Sequence, residues 1–128
     1  MSRKAKGINA ERDLIHKFWG KGWAAIRVAG SGSSSFPSPD LLVGNRIRKM
    51  AIECKVTKED KKYFSIEDIK QLTTFSDLFG AEPWIAVKFG KAPWFFINLE
   101  DLEKTPQGFM ISIGIVRNKG LLFEEIIK

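Results

Sequence analysis

Apolar residues recur along this chain with two spacings, and the spacings mark out its elements. From Gly7 or Asn9 to about Trp19 they fall at helical intervals: Ala10, Leu14, Ile15, Phe18 and Trp19, with Gly20 as the stop. Lys21-Gly22 forms a turn. Residues 23–29 (WAAIRVA) then read as a strand, and 30–39 (GSGSSSFPSP) as a loop. Residues 40–43 form a short strand, Gly44-Asn45 a turn, and 47–56 (IRKMAIECKV) a longer strand. Lys58 to Lys62 reads as a charged loop. Ser65 caps a second helix, with Asp68 three residues on in the manner of a capping box; the helix runs to Phe79 and Gly80 ends it. Residues 84–89 and 94–99 are strands around the turn 90–93, and Glu100 to Glu103 a short helical turn. The segments 109–116 and 121–127 read as strands.

The order helix, three strands, helix, two strands predicts an α/β fold, a central mixed β-sheet flanked by helices. Two stretches ask for cover. Ile66, Ile69, Leu72, Phe75 and Phe79 form one stripe of the second helix, enough to pack on the sheet. Trp94-Phe95-Phe96-Ile97 is apolar on both faces, so both must be buried. With few helices in the chain, this strand is expected to be covered by a second subunit, giving a homodimer.

Three acids interrupt apolar patterns where charge is normally excluded. At about 100° per residue, Glu11 falls in the middle of the arc formed by Ala10, Leu14, Phe18 and Ile15. A first-turn acid would serve the helix dipole, but that does not explain one aimed at the sheet. Glu53 lies in the strand Ala51-Ile52-Glu53-Cys54-Lys55-Val56, where alternation puts it on one face with Lys55. On an exposed edge this would be a plain Glu/Lys pair; inside an apolar strand it is a candidate site. Asp40 follows Pro39 and alone would be a turn residue, yet the turn at Gly44-Asn45 brings it towards Glu53.

The chain has 128 residues with 44% apolar, a size and composition for one domain with a proper core. It holds one cysteine, Cys54, read as a small core residue, and one histidine, His16. An internal disulfide, a multi-cysteine metal site and a two-histidine site within the chain are therefore excluded. A metal here needs oxygen ligands, which suits Mg²⁺. Net charge is +6, and residues 1–62 carry 14 Lys and Arg against 6 acids. That basic half, with Arg3, Lys4, Lys6, Arg46, Arg48, Lys49, Lys58, Lys61 and Lys62, fits a nucleic-acid partner. No apolar run reaches membrane-spanning length and no signal peptide is visible, so a cytoplasmic protein is expected. Three acids and a lysine beside a basic face point to metal-assisted phosphodiester hydrolysis.

Pro39-Asp40, twelve residues, then Glu53-Cys54-Lys55 resembles the PD-(D/E)XK nuclease signature. The finer resemblance is to archaeal Holliday junction resolvases of the Hjc type. It is carried by Ala10-Glu11-Arg12-Asp13-Leu14-Ile15, Arg27-Val28-Ala29-Gly30-Ser31-Gly32, Pro39-Asp40-Leu41-Leu42 and Ile52-Glu53-Cys54-Lys55-Val56-Thr57, and spans roughly residues 7–98. It implies a restriction endonuclease-like core in a single nuclease domain over 1–128. It also implies a homodimer and paired nicks across a four-way DNA junction, with Mg²⁺ and no small-molecule cofactor. Glu11, Asp40 and Glu53 would bind the metal and Lys55 would be catalytic. Arg12 and Arg27 stand at positions linked to activity and DNA contact, and Ser31 or Ser33 would be the active-site loop serine. A nuclease acting on ordinary or damaged duplex, or a silent DNA-binding module of the same fold, would share much of the pattern. The intact set of Glu11, Asp40, Glu53 and Lys55 counts against the silent module.

Overall fold

The computed structural model describes residues 3–29 and 36–128. A long helix α1 (Arg3–Gly20) opens the chain. It begins about a turn earlier than Gly7 or Asn9, because Arg3, Lys4, Ala5 and Lys6 are all good helix formers. Strands β1 (Ala24–Arg27), β2 (Leu41–Gly44) and β3 (Lys49–Thr57) follow as an antiparallel meander. A short connection, residues 58–60, then leads into β4 (Lys61–Ser65), which belongs to another sheet, so part of the expected charged loop is strand. Ser65 caps α2 (Ile66–Phe79) with the full capping box: its Oγ accepts from the Asp68 N–H at 3.0 Å, and Asp68 accepts from the Ser65 N–H at 3.1 Å. Gly80 ends that helix with φ 81°, a left-handed conformation suited to glycine.

Strands β5 (Glu82–Phe89) and β6 (Trp94–Ile97) complete a five-stranded mixed sheet in the order β1-β2-β3-β5-β6. Only β3 and β5 run parallel, which requires the crossover through β4 and α2. A 3-10 turn at Leu99–Asp101 leads to β7 (Glu103–Thr105) and β8 (Gly108–Ser112), which with β4 make a small second sheet in the order β4-β8-β7.

The C-terminal expectations change. Residues 109–116 are strand only as far as Ser112, whose hydroxyl then accepts the Ile115 N–H at 3.2 Å and caps α3 (Ile113–Lys119). A capping serine inside a β-prone run overrides the run's propensity. Residues 121–127 are not a strand either. Leu121 makes one bridge to Phe96, and Phe123–Ile126 form the short helix α4.

Two apolar clusters sandwich the main sheet. On one face Leu14, Phe18, Ile52, Trp84, Phe96, Phe123 and Ile126 pack together; the Phe18 ring lies 5.1 Å from Phe123 and 6.2 Å from Phe96, edge to face. On the other, Ala51, Ile85, Val87 and Ile97 meet Phe64, Ile69, Leu72, Ile111 and Val116 from α2, α3 and the small sheet. Strand β6 is thus covered on both faces within the chain: Phe96 and Ile97 are fully buried and Trp94 nearly so. Its outer edge is met by Leu121, with two 2.8 Å hydrogen bonds to Phe96. The expectation that a second subunit covers this strand is corrected, because α3 and α4, read as strands in the sequence, supply the cover.

Arg48 also changes role. Its guanidinium donates to both Glu82 carboxylate oxygens at 2.8 Å, and to the carbonyls of Ile126 at 2.8 Å and Lys128 at 3.0 Å. It also lies over the Trp23 ring at 5.5 Å. It clamps the last turn of the chain to the sheet rather than facing a polyanion. Lys49 lies over the Phe79 ring at 5.5 Å.

Candidate active site

Asp40 stands just before β2 and is tied to the sheet on both sides. Its carbonyl accepts the Val28 N–H at 2.8 Å, and its N–H donates to the Ile52 carbonyl at 3.0 Å. Leu41 lies opposite Ile52, so the same register sets Asp40 across from Glu53. The side chain is fixed as well, with Oδ2 accepting the Cys54 N–H at 2.8 Å. That donor is a main-chain group and has no signature in the sequence. The Cys54 thiol is buried, and burial first, then the surrounding carboxylates, push it well above the ordinary thiol range. It is core, as expected, and not a nucleophile.

Glu53 and Lys55 share a face of β3, with Lys55 Nζ 3.5 Å from Glu53 Oε2. The lysine also lies 6.0 Å from the Phe64 ring centroid. Burial, then the charge of Asp40 and a hydrogen bond shared with it, push the Glu53 carboxyl up to about 7; Lys55 pulls the other way. Glu11 approaches from α1, its side chain 16% exposed and its Oε1 3.6 Å from Arg27 Nε. Its carboxyl is raised too, by burial first and Asp40 second, against the pull of Arg27 and Lys55. Since α1 starts at Arg3, Glu11 sits in the third turn, too far along for the helix dipole to account for it.

Asp40 is therefore the hub, in electrostatic contact with Glu11 on one side and Glu53 on the other. Among the described residues no three acid, His or Cys side chains form a ready-made metal cage. The donor set fits Mg²⁺ nonetheless, since that ion commonly takes one or two carboxylates and keeps several waters. Crowded carboxylates whose charges repel one another are a group that a divalent cation relieves.

The other candidate residues divide by place. Arg27 is in the cluster through Glu11; Arg12 is exposed on α1 and, among the described residues, makes no ion pair with Glu11, Asp40 or Glu53. Lys6 is exposed on α1. Arg3 and Lys4 lie in its first turn. Ser31 and Ser33 fall outside the described residues. Lys58 and Lys61 are exposed and Lys62 half-buried where the chain passes from β3 to β4, and this stretch lines an open cleft of about 690 Å³ beyond the end of β3. Arg46, Arg48 and Lys49 lie at the opposite end of β2 from Asp40.

Comparison with known proteins identifies the family. A family model described as archaeal Holliday junction resolvase (Hjc) matches residues 2–128. The chain belongs to the Hjc family. The crossover junction endodeoxyribonuclease Hjc of Archaeoglobus fulgidus is 46% identical over 112 residues, 88% of this chain and 82% of the relative. The Hjc of Methanocaldococcus jannaschii is 38% identical over 106 residues, 83% of this chain and 75% of its own. The solved structure of A. fulgidus Hjc, a Holliday junction resolvase, superposes with a TM-score of 0.89 at 42% identity, covering 95% of this chain and all of that one. The Hjc core is restriction endonuclease-like, as the Pro39-Asp40 and Glu53-Cys54-Lys55 motif implied.

Proposed function

We propose that this chain is an endodeoxyribonuclease that resolves four-way DNA junctions by Mg²⁺-dependent phosphodiester hydrolysis, as a homodimer. The observation that carries the chemistry is the cross-strand pair Asp40–Glu53, locked by the Cys54 N–H, with Lys55 3.5 Å from Glu53. Asp40 and Glu53 would hold the ion, with Glu11 adding negative charge from α1. When bound, a divalent cation neutralises phosphate charge and makes water a better nucleophile. Lys55 would orient the attacking water and offset charge building on the phosphate. Arg27 holds Glu11 in place and adds a positive group beside the scissile strand. Lys6, Lys58, Lys61 and Lys62 extend the basic surface on which the phosphate backbone rests.

A two-fold dimer would present two such sites to two strands of a symmetric substrate. With β6 covered, the surface best suited to a second copy is an open apolar groove of about 930 Å³, lined by Trp19, Ile26, Leu42, Ile47 and Phe79. Ile47 is 89% exposed and Ile26 56%, apolar side chains that a second copy would shield from water. The functional reading is tested on a cruciform plasmid with and without Mg²⁺. Wild type should make paired, metal-dependent nicks, and Asp40→Asn should bind the cruciform without cutting it. Cleavage by Asp40→Asn near the wild-type rate would overturn the assignment.

A further inference from the structure

We propose that Tyr63 is a shape-reading residue, which stacks on bases left open at a DNA branch point and so favours a junction over straight duplex. This rests on the junction-resolving reading above. Tyr63 is 63% exposed, on a strand where the next residue, Phe64, is buried. Alternation along β4 explains the contrast. Phe64 is buried towards Lys55, with the half-buried Lys62 on the same side of the strand, while Lys61, Tyr63 and Ser65 face out. Strand β4 is an edge of the small sheet, paired only with β8 among the described residues.

Strand β4, which carries Tyr63, follows β3, the strand of Glu53 and Lys55, after only the connecting residues 58–60. Lys55 precedes the end of β3 by two residues, and the Gly90 N–H donating to the Thr57 carbonyl at 2.7 Å fixes that end. Tyr63 lines the open cleft just beyond that end, with Thr57, Lys58 and Lys61, so DNA seated on Asp40, Glu53 and Lys55 and extending along β3 would reach it. Lysines draw phosphate whatever the DNA shape, so they supply affinity without discrimination. An aromatic ring is different. It gains little on a regular duplex, whose base faces are stacked on one another, and gains a stacking contact where a branch leaves a face open. Strand propensity alone would also favour a tyrosine here, and it requires no DNA contact; the two accounts part on substitution by valine.

The test measures binding of wild type, Tyr63→Val and Tyr63→Phe to a four-way junction and a linear duplex of the same arm sequences. Divalent metal is chelated, so the DNA stays whole, and 2-aminopurine is placed at the branch point. Thermal melts check that both variants fold. Tyr63→Val keeps strand propensity and loses the ring; it should weaken junction binding about ten-fold, the size of one base–aromatic contact. Duplex affinity and the salt dependence of binding should stay unchanged, and the 2-aminopurine response should disappear. Tyr63→Phe should retain both junction affinity and the fluorescence response. A Tyr63→Val protein that prefers junctions as strongly as wild type would overturn the assignment to Tyr63 alone. Equal affinity of wild type for both DNAs would overturn the junction reading and this inference with it.

Discussion

Replacing Glu53 by glutamine should abolish cleavage and, without metal, make the protein more stable. A carboxyl with a pKa of about 7 against an ordinary 4.5 is penalised by about 3 kcal/mol once ionised in the fold. Because the folded value is the higher one, the folded state binds more protons between the two values. Stability is therefore lost as pH rises from about 4.5 through 7, and the loss is complete above that. Glutamine is neutral throughout and escapes it. It leaves Lys55 without its 3.5 Å partner, which offsets part of the gain. A net gain of roughly 1–3 kcal/mol at pH 8.5 is expected, which for a domain of this size raises the melting temperature by about 4–12 °C. At pH 5, where Glu53 holds its proton, the two proteins should melt almost together. Mg²⁺ should then raise the wild-type melting temperature at pH 8.5 and leave Glu53→Gln nearly unmoved, since ligand binding stabilises only what it binds. Calorimetric melts in chelator at both pH values decide it. A variant that melts at or below wild type at pH 8.5 would refute the idea that Glu53 is strained by Asp40 and burial.

Glu11→Gln should slow cleavage by orders of magnitude in single-turnover assays while leaving the melting temperature within a few degrees; a fully active variant would return Glu11 to a structural role. Phe79→Lys, at the apolar groove, should give a folded monomer by sedimentation, whereas Phe96→Lys should fail to fold, since Phe96 is wholly buried against Phe18. A folded Phe96→Lys monomer would instead revive β6 as the subunit interface. Arg48→Ala should lower stability by about 2 kcal/mol through loss of charge-assisted bonds to Glu82 and two carbonyls. Its amide exchange should quicken in α4 while junction affinity holds; a drop in affinity without loss of stability would put Arg48 back among the DNA contacts.

The carboxylate cluster was legible because charge inside an apolar strand is rare enough to carry meaning. Asp40 and Glu53 had to meet once Gly44-Asn45 turned the chain, and the register sets them opposite each other. Glu11 could be placed because helical periodicity alone fixes which residues share its face. The Ser65 cap was readable for a similar reason, its partner Asp68 lying three residues away. What failed depended on contacts distant in sequence. The cover over Phe96 comes from Leu121 and Phe123, and a reader expecting strands there cannot see it. Arg48 looked like one more surface cation until its partners, Glu82 and Ile126, were brought beside it by the fold. The Cys54 N–H that locks Asp40 belongs to the backbone, which every residue but proline possesses.

Strand β3 is hydrogen-bonded along both edges, to β2 on one side and β5 on the other. Its amides should be among the slowest to exchange in the molecule, and Glu53 and Lys55 ride on that inflexible backbone. Side chains carried on so firm a backbone cannot travel far to meet a substrate. The deformation needed to bring a phosphate into line must then be borne by the nucleic acid, as bending or opening of its arms. A continuous duplex resists such distortion as a stiff rod, whereas a branch point already has a joint. Rigidity at the centre of the sheet thus becomes a source of selectivity in its own right: the enzyme cuts what yields to it.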